Sequence, residues 1–174
     1  PETPEWEWPD PEPEPDPEPV AGKPRFIWVD AAANFPDFAN SRENIARDLA
    51  KARDAGFTDI VVDVRPTTGD ALFRTSAVEQ VEWLGAWLPE GYSKIERTAT
   101  WDYLQAFIDE GAKLGLRIHA AINTFTGGNL TSLGGAGVVF RDADKRAWTT
   151  DLNLANGITN IMSTDQAAKF FNPV

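Results

Sequence analysis

Residues 57–73 read FTDIVVDVRPTTGDALF, and this stretch decides the fold. Ile60, Val61 and Val62 make a β-branched apolar run of the kind found in parallel strands buried on both faces. The run leads into Asp63 and Arg65 and then into the loop Pro66-Thr67-Thr68-Gly69-Asp70. Charged side chains are almost never fully buried unless paired, so Asp63 and Arg65 must face each other or face a cleft.

Upstream, Phe26–Asp30 (FIWVD) predicts a short strand, followed by a loop that carries Asn34. Ser41 suits a helix N-cap, Ile45, Leu49 and Ala52 follow at helical spacing, and Gly56 stands where a left-handed C-cap ends a helix. Downstream, a connection from Pro66 to Ala99 precedes a second helix. Thr100 is its expected cap, and Trp101, Leu104, Ile108 and Ala112, widened by Phe107 and Leu114, form its expected inner face. Gly115 ends it, and Leu116–Asn123 (LRIHAAIN) is the third strand. Strand, helix, strand, helix, strand predicts an α/β fold with a parallel sheet and right-handed crossovers.

Two architectures use this order, the doubly wound sheet and the (β/α)8 barrel. A doubly wound dinucleotide binder needs a glycine-rich turn after its first strand, and Asp30-Ala31-Ala32-Ala33-Asn34 contains none. Gly134-Gly135-Ala136-Gly137 follows a loop and reads as a flexible segment, so phosphate cradling has no support.

Composition bounds the partners. The chain has 174 residues, a net charge of −11 and no cysteine, which excludes disulfides and thiolate chemistry. Within residues 1–19 fall eight of the 13 prolines and eight of the 27 acids, with no Lys or Arg. That leaves 19 acids against 16 bases, a net charge of −3, for everything after it. Residues 1–22 are therefore expected to be a disordered Pro/Glu spacer, of the kind that holds an enzyme away from a membrane anchor, and 23–174 the folded part. Without a basic patch, nucleic acid is excluded as a partner. No apolar run is long enough to span a bilayer, so any membrane attachment would be through an N-terminal lipid anchor.

Alternate residues of a strand share a face, which groups Trp28 with Asp30, Val61 with Asp63 and Arg65, and Arg117 with His119, Ala121 and Asn123. In a parallel sheet the carboxyl ends lie side by side, so Asp30, Asp63, Arg65 and Asn123 converge where α/β barrels put their chemistry. The competing reading is a buried network in which Arg65 forks onto Asp63 or Asp30 and Asn123 ties a loop. Arg65 beside Asp63 is expected to hold that carboxylate ionised, which suits a nucleophile, a base or an anchor. His119, the single histidine, reads as a satisfied wall residue. Asp142 and Asp144 resemble the start of a calcium loop, but Arg146 breaks the pattern, and neither metal nor cofactor is assigned. Trp83, Trp87, Tyr92 and Trp101 crowd the long connection, where aromatic rings can stack on the apolar face of a sugar.

FIWVDAAANF, the DVRPTTGDALF segment, WDYLQAFIDEGAKLGLRIHAAINTFTGG and the stretch from AWTT to FFNPV together resemble the N-terminal half of the glycosyl-hydrolase-like family 10. These are extracytoplasmic barrel proteins often made as bacterial lipoproteins, and the resemblance covers residues 25–174. It implies a (β/α)8 TIM barrel represented by its first three βα units. It also implies a protein that cleaves glycosidic bonds of a polysaccharide or of peptidoglycan. Asp63 is the implied catalytic carboxylate. Asp30, Asn34, Arg65, Asp70, Asn123, Trp83 and Trp87 are the expected substrate contacts. Three strands cannot close a barrel that typically takes about 250 residues, so the chain is expected to be a piece inactive alone, its general acid lying beyond Val174. The alternatives are a glycan-binding surface lipoprotein without chemistry and a polysaccharide lyase on the same scaffold.

Overall fold

A computed structural model describes residues 22–124, 126–131, 134–137 and 169–171. In chain order the elements are β1 (Phe26–Val29), α1 (Phe35–Phe38), α2 (Arg42–Asp54), β2 (Asp59–Arg65), β3 (Trp83–Leu88) and β4 (Gly91–Glu96). They continue as α3 (Tyr103–Lys113), β5 (Arg117–Ile122), β6 (Thr126–Thr131), β7 (Gly134–Ala136) and β8 (Lys169–Phe171). The βαβαβ order is present, and its strands form a parallel sheet in the order β1-β2-β5. The central run Ile60-Val61-Val62 is the middle of that sheet, flanked in register by Ile27-Trp28-Val29 and Ile118-His119-Ala120.

Ile60, Val62, Val64 and Val29 are buried with Ile45 and Leu49 of α2 and Phe107 of α3 in one core. Burying each such side chain stabilises by about 1.5–3 kcal/mol. The other face is open at β1, where Phe26 is 54% exposed and Trp28 59%, but buries Asp59 and Asp63 of β2. Among the described residues, β1 and β5 each pair on one side alone.

Helix α2 follows its sequence cues. Ser41 accepts a bond from the Asn44 amide at 3.1 Å, and Gly56 takes φ +86° just past the C-cap. Helix α3 differs from expectation. Its cap is Asp102, which accepts from the Gln105 amide at 2.9 Å and the Arg74 amide at 2.6 Å, so Trp101 precedes the helix and lies under the Arg97 guanidinium instead. The buried face is Tyr103, Ala106, Phe107, Glu110 and Gly111, while Ile108 faces outward. Glu110 explains the rotation. It meets Arg42 at 2.9 Å and Lys113 at 2.7 Å, so an acid reads as interface, and Gly111 lets Ile118 approach where a Cβ would come within 2.6 Å of it.

The long connection after β2 holds an antiparallel hairpin, β3–β4, with Leu84 and Ala86 packed inward. Asn40 anchors its return, donating to the Glu96 carbonyl at 2.7 Å and accepting from the Thr98 and Ala99 amides at 2.7 and 3.0 Å. A third sheet, β7-β6-β8, corrects the reading of the glycine cluster as flexible: Gly134–Ala136 is a strand paired with Asn129–Thr131. Gly137 then closes onto the loop after β2, where a Cβ would lie 2.3 Å from the Thr68 carbonyl oxygen. The spacer up to residue 21, Asp142, Asp144 and Asn172-Pro173 fall outside the described residues.

Candidate functional site

The carboxyl end of the sheet brings Asp30, Asp63, Arg65 and Asn123 together. Val29 pairs with Val62, which sets Asp30 and Asp63 opposite each other one step further on. Asp30 ends β1 in a tight turn: its Oδ1 accepts from the Ala32 and Ala33 amides at 2.9 and 2.7 Å, and its own amide donates to Asn34 Oδ1 at 3.0 Å. Asn34 therefore shapes the Asp30 turn. It also borders an apolar cavity of about 220 Å³ between β1 and α2, lined by Ile27, Val29, Phe38, Leu49 and Phe107.

Asp63 is 7% exposed. It accepts from the Arg65 amide at 3.2 Å, from the Ala31 amide, and from Asn123 Nδ2 at 3.2 Å to each oxygen. Burial pushes its carboxyl above the usual range, and the neighbouring Asp30 charge pushes the same way. The three donors pull against this and lose. The expected depression by Arg65 does not occur. Arg65 turns its guanidinium to backbone carbonyls: Gly69 at 3.1 Å, Thr124 at 2.8 Å, and Asn123 and Thr126. It clamps the loop after β2 to the loop after β5, and among the described residues no cation is bonded to either acid. Neither fork of the competing network, Arg65 onto Asp63 or onto Asp30, is present. Asn123, in contrast, ties Asp63 directly and also donates to the Arg65 carbonyl at 2.9 Å.

Asp70 is buried in the Gly69 turn, with Thr68 beside it. Trp83 and Trp87 lie on β3, on the outward face of the hairpin, and no contact joins them to Asp63 among the described residues.

Two groups went unseen in the sequence. Tyr103 is fully buried at the first turn of α3, in electrostatic reach of Asp30 and Asp63, and its hydroxyl has no hydrogen-bond partner among the described residues. Burial raises its phenol well above its ordinary range. At the opposite end of the sheet, Asp59 is buried and gathers Arg117 through two bonds of 2.7 Å and His119 Nε2 at 2.7 Å, with Thr58 bonded to the same carboxylate. Strand parity already placed Arg117 and His119 on that face, and counting back two residues from Val61 would have added Asp59.

No family model and no solved structure matches the chain. It is 34% identical over 111 residues to an S-layer-related protein of Niallia circulans, a match that spans 64% of this chain and 7% of that protein.

Proposed function

We propose that the chain contributes the first βα units of a glycoside-hydrolase-like (β/α)8 barrel held at the cell surface, acting on glycosidic bonds of a polysaccharide or of peptidoglycan. The observation that carries this reading is the carboxylate pair on adjacent strand ends, Asp30 exposed and bonded to amides, Asp63 buried and raised. Glycoside hydrolysis uses two carboxyl groups, and pairs whose surroundings set them apart are the ones that divide acid and base roles. Asp63 is then the proton-carrying group, and Asp30 the charge that helps keep the proton on it. Arg65, Asn123 and Asp70 fix the loops around the pair.

The barrel is supported by the parallel βαβαβ order and by the one-sided pairing of β1 and β5. Surface location is supported by the S-layer-related name of the matching protein, with a lipid anchor as the attachment. No helix among the described residues is long and apolar enough to cross a membrane.

A second reading, a glycan-binding surface protein without chemistry, is favoured by the three donors that already occupy Asp63. Reducing-end release from peptidoglycan and from neutral polysaccharides, measured on the full-length protein and its Asp63→Asn variant, separates the two. Turnover lost in a folded variant supports catalysis by Asp63. Unchanged turnover removes Asp63 from the chemistry, and ultraviolet-absorbing unsaturated products would point to a lyase.

A further inference from the structure

We propose that the outward face of the β3–β4 hairpin is a carbohydrate-binding strip in its own right, with Trp87 and Tyr92 as the rings that stack on an uncharged polysaccharide chain. The inference rests on the glycan reading above but assigns binding to a different element. The hairpin divides cleanly. Leu84 and Ala86 are buried inward, whereas Trp83, Gly85 and Trp87 alternate outward opposite Glu96, Lys94 and Tyr92. Trp87 is 69% exposed, the most exposed large apolar side chain among the described residues.

Lys94 and Tyr92 of β4 lean in a common direction. Both reach past their cross-strand partners toward the residue two positions earlier on β3. Lys94 pairs with Gly85 but places its ammonium 5.1 Å over the Trp83 ring, so that ring is already covered. Tyr92 pairs with Trp87, with ring centres 5.2 Å apart, but reaches over Gly85. A Cβ at residue 85 would lie 2.0 Å from the Tyr92 hydroxyl oxygen and 2.4 Å from the ring carbon that bears it. Glycine in mid-strand is unfavourable for the strand and often marks a place where something must approach the backbone closely. Here its absent side chain lets a tyrosine lie against the ribbon beside an exposed tryptophan.

Charge selects the ligand class. Lys94 is paired with Glu96 at 3.1 Å, so the strip carries no net cation for a polyanion to meet. What it offers is ring faces bracketed by a hydroxyl, an ammonium and a carboxylate. That mixture matches a polyol chain, whose sugar rings present C–H faces edged by hydroxyls. The Asn40 anchors and the packed inner face hold the strip on rigid strands.

The test is depletion binding of the purified chain on three insoluble polymers: peptidoglycan sacculi, chitin and cellulose. Wild type is retained on at least one of them. Trp87→Ala binds about tenfold more weakly, as loss of one stacking ring would give. Gly85→Ala, which keeps both rings but displaces Tyr92, binds severalfold more weakly, and Ile108→Ala, an exposed residue of α3 outside both the strip and the carboxylate cleft, binds like wild type. Circular dichroism and thermal melting check that each variant is folded. The proposal is overturned if wild type binds none of the three, or if Trp87→Ala and Gly85→Ala both bind as wild type. Loss confined to Asp63→Asn removes the strip and leaves the carboxylate cleft standing. Conversely, Trp87-dependent binding combined with unchanged turnover in full-length Asp63→Asn keeps the strip and removes the catalytic reading.

Discussion

Asp59 and Asp63 stand four residues apart on one face of one strand, both nearly buried, and their surroundings push them in opposite directions. Asp59, at the amino end, meets a bidentate Arg117, His119 and Thr58, and the Arg117 bonds hold its carboxyl well below the usual range. Asp63, at the carboxyl end, meets amides, an asparagine and another acid, and burial holds it above that range. A carboxylate with a cation fixed on it is spent on structure. One without a cation bonded to it, raised by burial beside a second acid, is the better placed of the two to exchange a proton. In the proposed barrel this is the expected division, with stability served by the amino-terminal face and chemistry by the carboxyl-terminal one.

Substituting the two acids is the strongest way to break this contrast. Asp63→Asn in the full-length protein is expected to lower glycan turnover by about 10²–10⁴-fold, the range for losing a general acid or base. Its unfolding midpoint at neutral pH should stay level or rise, because the ionised form it removes is disfavoured in the fold. Asp59→Ala should do the reverse. It is expected to cost about 2 kcal/mol of stability, below the range for a fully buried pair because Arg117 and His119 reach solvent. Per folded molecule, turnover would be unchanged. Urea denaturation beside single-substrate assays reads both, and a stability loss shared equally by the two variants would erase the distinction.

The pH dependence sharpens it further. Asp59 has a depressed folded pKa, so its contribution is complete above the unfolded value near 3.9 and disappears as pH falls through the folded value. The cost of Asp59→Asn should therefore be greatest near neutrality and shrink in acid. Asp63 has a raised folded pKa, so its contribution is present below the unfolded value and is lost as pH rises through the folded one. Asp63→Asn should cost most in acid and least at neutral pH. Urea midpoints between pH 3 and 7 should give difference curves of opposite slope; parallel curves would mean that the two acids share one kind of environment.

The positions of these groups were legible in the sequence, but their electrostatics were not. Asp30, Asp63 and Asn123 follow from strand parity and from where β-branched runs stop, because a strand's two-residue period is rigid. Arg65 follows the same parity, but the destination of its guanidinium does not. A side chain that long can reach several partners, and the carbonyls it chose leave no mark in a sequence. The inner face of α3 was displaced for a related reason, since Glu110 reads as solvent until Arg42 is known to sit above it. The β3–β4 hairpin was missed although Leu84 and Ala86 alternate with outward residues and Pro89-Glu90-Gly91 supplies a turn. Trp83 and Trp87 stand at the outward positions, where polar residues would have marked an exposed face, so the two-residue period is masked.

Asn123 offers the finest adjustment of the contrast. Its amide donates to both oxygens of Asp63, and that bond favours the ionised form against burial and the Asp30 charge. Removing it in Asn123→Ala should raise the Asp63 pKa further without touching Asp59, which lies at the other end of the sheet. The expected result is a shift of the Asp63 titration to higher pH, followed by the carboxyl carbon resonance in labelled protein, with the Asp59 resonance unmoved. In the full-length protein the acid–base limb of the pH–rate profile governed by Asp63 should move in the same direction. A limb that stays in place while the resonance moves would show that Asp63 titrates but does not carry the proton in turnover. A resonance that stays in place would show that the two backbone amides alone hold the carboxylate, and that Asn123 serves the loop through the Arg65 carbonyl.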